Sequence, residues 1–212
     1  MLISRTGELI ATWLCGLLAL GLPISSLLAQ PADASATAAS APAAPPPSPR
    51  VVRRELDRAE AFLRARLHGR PEYAELELVR EPQRLLLRIP VQVLFEPDSA
   101  TLRPSSGAAA VSGIRELVQE LLRRRSRLIA QILVYSDAIG DAGANLSFSQ
   151  QRAQTLLAAL QAPRVASNRL IAAGAGETLA LSSNSTPEGR MQNRRVEIAF
   201  GLTLPAAPAM TP

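Results

Sequence analysis

ILVYSDAIGDAGANLSFSQQRA, residues 132–153, is the stretch around which the rest of the chain is organised. Its apolar opening, Ile132 to Val134, has the character of a buried strand. Asp137 stands at the strand's end, and a glycine-punctuated turn, Gly140 to Gly143, follows. The pattern then predicts a helix opening near Asn145. At about 3.6 residues per turn, Asn145, Ser149 and Arg152 fall on one side of that helix. The carboxylates of Asp137 and Asp141 then face a stripe of Asn, Ser and Arg. Such a set suits a zwitterion, with a carboxylate for an ammonium and a guanidinium fork for a carboxylate. The same spacing also allows Asp137 and Arg152 to pair only with each other.

The frame resembles the peptidoglycan-binding OmpA-like (OmpA/MotB C-terminal) domain family. The family motif runs roughly G-H-T-D, a turn, then N-x-x-L-S-x-x-R-A. Here it reads Val134-Tyr135-Ser136-Asp137, Asn145, Phe148-Ser149 and Arg152-Ala153, with no gap in the Asp-to-Asn and Asp-to-Arg spacings. The Gly-His pair is replaced by Val-Tyr, and the Leu before Ser149 by Phe148. Upstream, Phe95-Glu96-Pro97-Asp98-Ser99-Ala100-Thr101-Leu102 is similar to the family's opening F-x-x-x-x-A-x-L. Asp98 occupies the place of an Asp or Asn beside the family's ligand pocket; a turn or helix-cap carboxylate is the alternative. Downstream, Gly174-Ala175-Gly176-Glu177 resembles a G-x-G-E loop. It is no phosphate cradle, since no Lys or Ser-Thr helix start follows. TPEGRMQNRRVEI, residues 186–198, resembles T-x-x-G-R-x-x-N-R-R-V-E-I. Structural ion pairing is the expected role of at least two of Arg190, Arg194 and Arg195.

The resemblance covers about residues 85 to 200. It implies an α/β (α+β) fold, a β-α-β-α-β-β sandwich of two main helices packed on a small mixed sheet. The order of strand and helix patterns agrees with it independently. It further implies non-covalent binding of peptidoglycan through the diaminopimelate residue of the stem peptide. Asp137 would pair the ammonium and Arg152 would hold the carboxylate, with Asn145, Ser136 and Asp98 contributing around them. The positive start of the second helix favours the carboxylate. A degenerate module is the second reading: the missing Gly narrows the backbone approach, Tyr135 fills or rims the pocket, and the domain acts as a scaffold for other envelope proteins.

The flanks are read from composition. Residues 1–29 carry Arg5 and an apolar run from Leu9 to Ala29, the form of a secretory signal peptide cut after Ala29. An uncleaved anchor is the competing reading, since about 20 apolar residues can span a bilayer. Pro23 and the small residue at position 29 favour cleavage. Either way the rest is exported, which places it in the periplasm or cell envelope of a Gram-negative bacterium, with membrane contact only if the leader is retained. Residues 30–50 are an Ala/Pro/Ser-rich linker, and residues 203–212 a loose tail.

Between linker and resemblance, residues 51–84 form an extension. Leu56, Ala59, Leu63 and Leu67 recur at helical spacing over 51–68, and Glu60 can pair with Arg64. The stripe suits packing on the domain better than self-association. Residues 73–95 alternate as a hairpin about Glu81-Pro82-Gln83, with an inward row from Leu85 to Phe95. Pro90 within that row argues for an edge or a bulge.

Composition excludes other classes. The 23 basic residues are all Arg, and the net charge is +5. With 3% aromatic residues and export of the chain, a solvated basic surface is expected rather than nucleic-acid binding. The single His68 lies outside the domain and the single Cys15 within the leader, so no nucleophilic triad or zinc set assembles. Asp137 and Asp141 are formally available for acid–base work. No enzyme activity, cofactor or metal is expected. An ion-conducting stator subunit would need an acidic residue in its span, and residues 9–29 contain none.

Overall fold

A computed structural model describes residues 45–163 and 165–203. The leader, residues 30–44 of the linker and the tail from residue 204 lie outside the described residues. In chain order the elements are α1 (Pro49–Leu67), β1 (Glu77–Arg80), β2 (Leu85–Pro90), α2 (Val91–Leu94), α3 (Ser106–Arg124), β3 (Ile129–Tyr135), α4 (Ala142–Leu160), β4 (Leu170–Gly176), α5 (Pro187–Asn193) and β5 (Arg195–Gly201). The strands make one mixed sheet in the order β1-β2-β5-β3-β4, in which only β3 and β4 run parallel.

Strand alternation divides the sheet into two faces. Leu85, Leu87, Ile89, Ala130, Ile132, Val134, Val196, Ile198 and Phe200 form the inner row and pack with the helices in one core. Helix α3 adds Ile114, Leu117, Val118, Leu121 and Leu122 to that core, and α4 adds Ala153, Leu156 and Leu160. The outer face carries Leu133, Tyr135 and Ala175 beside an ionic row. There Glu197, almost fully buried, accepts from Arg88 at 2.9 Å and Arg195 at 3.0 Å.

Three expectations are corrected. The inner row does not continue as strand to Phe95: β2 stops at Pro90, and Val91–Leu94 turn into the short α2. Pro90 ends a strand that is interior to the sheet, not an edge strand; it pairs with Arg195 of β5, while β1 reaches only to Arg88 and leaves this position open on its other side. Pro lacks the N–H that a further ladder bond would need, and the next donor, Val91 N, reaches Arg194 O at 3.1 Å. The second helix opens at Ala142, three residues before Asn145, because Asp141 caps it, accepting from Ala144 N at 2.8 Å. A short helix, α5, stands between the last two strands. Thr186 caps it, and Pro187 fills its first turn.

The extension is part of the same core. Leu56, Ala59 and Leu63 of α1 are fully buried there, so its apolar stripe is spent within the chain. Glu60 pairs with Arg64 at 2.7 Å as expected. The turn at Glu81-Pro82-Gln83 joins β1 to β2, with β1 at the sheet edge.

Candidate functional site

The site lies where β3 ends and α4 begins, and glycines of the neighbouring β4 let α4 pack closely on the sheet. A Cβ on Gly174 of β4 would come within 2.3 Å of Gln150 N in α4, and Gly176 adopts φ +54°. Ser149 pins the contact, accepting from Gly176 N at 3.0 Å and donating to Leu146 O at 2.8 Å. Ser149 is therefore a packing residue and does not line the groove above it.

That groove has a volume of about 780 Å³ and includes Asp98, Ser136, Asp137, Asn145, Arg152 and Arg194 in its lining. All five sequence-predicted site residues thus meet around one depression. Four arginines and three carboxylates line it, a mixed-charge surface suited to a ligand bearing both signs.

Asp137 is 8% exposed. One of its oxygens accepts from Ile139 N at 3.1 Å, and the other accepts from Nη1 of Arg194. Its ion-pair partner is therefore Arg194, and the alternative in which Asp137 pairs only with Arg152 does not hold. Asn145 clamps the turn: its Nδ2 donates to Asp137 O at 3.2 Å, Ile139 O at 3.1 Å and Glu177 Oε2 at 3.2 Å. The Ser136 hydroxyl is buried and has no hydrogen-bond partner among the described residues. Asp98 caps no helix. It sits on the groove rim in a turn with φ 47°, a left-handed conformation that Asp tolerates better than most residues.

Arg152 is the unusual member. It is 7% exposed, yet it makes no ion pair among the described residues. Its Nε donates to Ser99 O at 2.8 Å. Its guanidinium lies 4.1 Å from the ring centroid of Phe148 and 5.5 Å from that of Phe95. Burial lowers its pKa from the ordinary value; the Asp98 carboxylate works the other way, and Arg194 adds to the lowering. A guanidinium keeps its charge regardless, so this charge is held at the groove with its terminal nitrogens uncommitted. Phe148 in place of the motif's Leu is thus one face of a cation–π contact.

The remaining motif segment, residues 186–198, is mostly structural. Arg190 donates to the carbonyls of Asn184 at 2.9 Å and Ser185 at 3.2 Å, and Arg195 pairs with Glu197. Asn193, fully buried, accepts from Leu181 N and Ser182 N and so fixes the loop before α5. Arg194 is the exception that spacing alone did not single out, since it meets Asp137 across 57 residues of chain. Tyr135 neither fills nor rims the groove. It lies on the outer sheet face, 2% exposed, with the Arg195 guanidinium 3.7 Å from its ring centroid. Burial, aided by Glu197, pushes its phenol up to about 12 against the opposing Arg195 and Arg84. Asp141, spent as a helix cap, does not form an acid–base pair with Asp137.

Among the described residues, no group of three or more His, Cys, Asp or Glu is placed to hold a metal ion, and no helix is long and apolar enough to cross a membrane.

Comparison with known proteins locates this arrangement. Residues 94–194 match the OmpA family model. The chain is 33% identical over 145 residues to a protein described as "Probable lipoprotein YiaD" from Escherichia coli strain K12, covering 68% of this chain and 62% of that relative. It is 44% identical over 64 residues to the peptidoglycan-binding protein ArfA of Mycobacterium tuberculosis strain H37Rv, covering 30% of this chain and 20% of ArfA. The chain thus spans less than two thirds of the length of these relatives. Its fold is similar to that of the cell wall anchor of the T6SS from Pseudomonas aeruginosa, with a TM-score of 0.54 at 25% identity, covering 66% of this chain and 96% of the anchor. The names of these relatives describe envelope, binding and anchoring proteins, not enzymes.

Proposed function

Residues 94–194 of this chain are an OmpA-family domain, and from that premise we propose that the protein binds peptidoglycan non-covalently through the diaminopimelate residue of the stem peptide, tethering itself at the cell wall of the periplasm. The observation that carries the reading is Arg152: a buried guanidinium over the rings of Phe148 and Phe95, with no ion pair among the described residues, opening onto a groove. A buried charge left without a partner is costly. A ligand carboxylate supplies that partner, while Asp137, oriented by Arg194 and the Ile139 N–H, takes the ligand ammonium. Asn145 holds the turn that carries Asp137, Ser136 offers an unused hydroxyl, and Asp98 faces the ligand from the rim. Hydrogen bonds to charged groups contribute roughly 1.5–3 kcal/mol each, enough for a weak contact that a polymeric wall multiplies. The names of ArfA and the T6SS anchor, and the position of Tyr135 outside the groove, support wall binding over a degenerate scaffold.

The test is co-sedimentation of the purified protein with insoluble diaminopimelate-type peptidoglycan. The protein is expected in the pellet, and the double variant Asp137→Ala, Arg152→Ala in the supernatant. Full retention of the double variant removes the site. Absence of the parent protein from the pellet favours docking on other envelope proteins instead.

A further inference from the structure

The groove does not end at Arg194. A second cavity of about 460 Å³ adjoins it, and Gln92, Met191 and Arg194 line both. Its far wall comes from the N-terminal hairpin, with Glu75, Glu77, Arg88 and Pro90, all outside the segment that matches the family model. The cationic groups here are already matched. Arg88 pairs with Glu197 at 2.9 Å and with Glu77 at 3.6 Å; Arg195 pairs with Glu197, and Arg194 with Asp137. What stays open, the Glu75 carboxylate at the hairpin wall apart, is neutral and apolar. Gln92 and Gln192 present carboxamides; Gln192 accepts from the Ser182 hydroxyl at Oε1, which orients it and leaves its Nε2 available. Leu181 and Met191 are 46% and 49% exposed beside them.

We propose that this cavity is a subsite for an N-acetylated sugar of the polymer whose stem peptide enters the groove, an assignment that rests on the peptidoglycan reading. An acetamido sugar is uncharged. It offers hydroxyls, an amide N–H and an amide carbonyl to carboxamides, and a methyl and an apolar ring face to Leu181 and Met191. The carboxylates of Glu75 and Glu77 disfavour a second peptide carboxylate here by like-charge repulsion. The continuity through Met191 and Arg194 lets one ligand occupy both cavities, with its charged end at Asp137 and Arg152 and its sugar against the hairpin.

The experiment titrates the full protein by calorimetry and by amide NMR with three probes: free meso-diaminopimelate, the sugar-free stem tripeptide ending in diaminopimelate, and the same tripeptide on its N-acetylated disaccharide. The disaccharide form is expected to bind about three- to tenfold tighter than the sugar-free tripeptide, the worth of one or two neutral hydrogen bonds. The amide signals of Leu181 and Gln192 shift only with the sugar. Gln192→Ala removes most of that increment and Leu181→Ala lowers it, and both, at exposed positions outside the first groove, leave the affinity for free diaminopimelate unchanged. Equal affinity for the two peptides, or no shift at Leu181 and Gln192, overturns the proposal. An increment from the sugar-free tripeptide that Gln192→Ala removes makes the cavity a peptide subsite and overturns it equally. If diaminopimelate leaves the groove signals unmoved while the disaccharide form still shifts Leu181 and Gln192, the sugar subsite stands and the groove reading fails.

Discussion

Asp137 is ion-paired with Arg194, on the far side of the domain's sequence, and Arg152 makes no ion pair among the described residues. This division of labour sets the chemistry of the groove. Asp137 is positioned before any ligand arrives, and the charge that seeks a partner is the guanidinium stacked on Phe148.

Replacing Arg152 by Lys separates charge from shape. Lysine keeps the positive charge but has no planar fork and no flat face to lie over Phe148. We expect Arg152→Lys to weaken binding of diaminopimelate about tenfold or more, the worth of one charge-assisted bond. Calorimetric titration measures the loss, with the melting temperature as a control for folding. Binding equal to the parent would show that the point charge suffices.

Arg194→Ala removes one of the two hydrogen bonds that orient Asp137, and with it a second guanidinium at the groove. Binding is expected to weaken several-fold, by about 1 kcal/mol, and Arg194→Lys to recover part of it. Tighter binding by Arg194→Ala in the same titration would mean that Arg194 competes with the ligand's ammonium for Asp137.

Tyr135 makes stability fall in alkali. Its phenol titrates near the ordinary value of 10.0 in the unfolded chain and at about 12 in the folded protein. Its contribution is complete below pH 10, because both states then hold the proton. Between pH 10 and 12 the unfolded state loses its proton first, and stability declines by about 2–3 kcal/mol across the window. Urea unfolding at pH 9, 10 and 11 is expected to show this decline, and Tyr135→Phe to flatten it. An unchanged slope in Tyr135→Phe would assign the decline to other groups.

Leu63→Ala tests whether the N-terminal helix is integral to the domain. Leu63 is fully buried in the core shared with α3 and the inner sheet row. Truncation leaves a cavity, and a loss of about 2–5 kcal/mol is expected in chemical denaturation. A loss below about 1 kcal/mol would describe a helix draped on an already complete domain.

Much of this was legible because it depends on neighbours in the chain. The helical period of Ile114, Leu117, Val118, Leu121 and Leu122 is written in the sequence, and the structure places them on the buried face of α3, Ser106–Arg124. The apolar run at Ile132 made β3 readable for the same reason. Errors fell where a single residue overrode a pattern. Pro90 stopped a strand that alternation alone would have carried to Phe95, and the Asp141 cap opened α4 at Ala142, three residues before Asn145.

The sequence by itself determined the layout: an α/β sandwich, with Asp137 at a strand end, Arg152 on the following helix, and their fixed separation. Those are short-range facts of period and spacing. Only the tertiary structure decided that Asp137 takes Arg194 as its partner, that Tyr135 turns to the outer face, that Arg152 lies over the rings of Phe148 and Phe95, and that the hairpin adds a second cavity. Each of these depends on strands and helices that meet across long stretches of chain, where packing chooses among partners that linear spacing leaves equivalent.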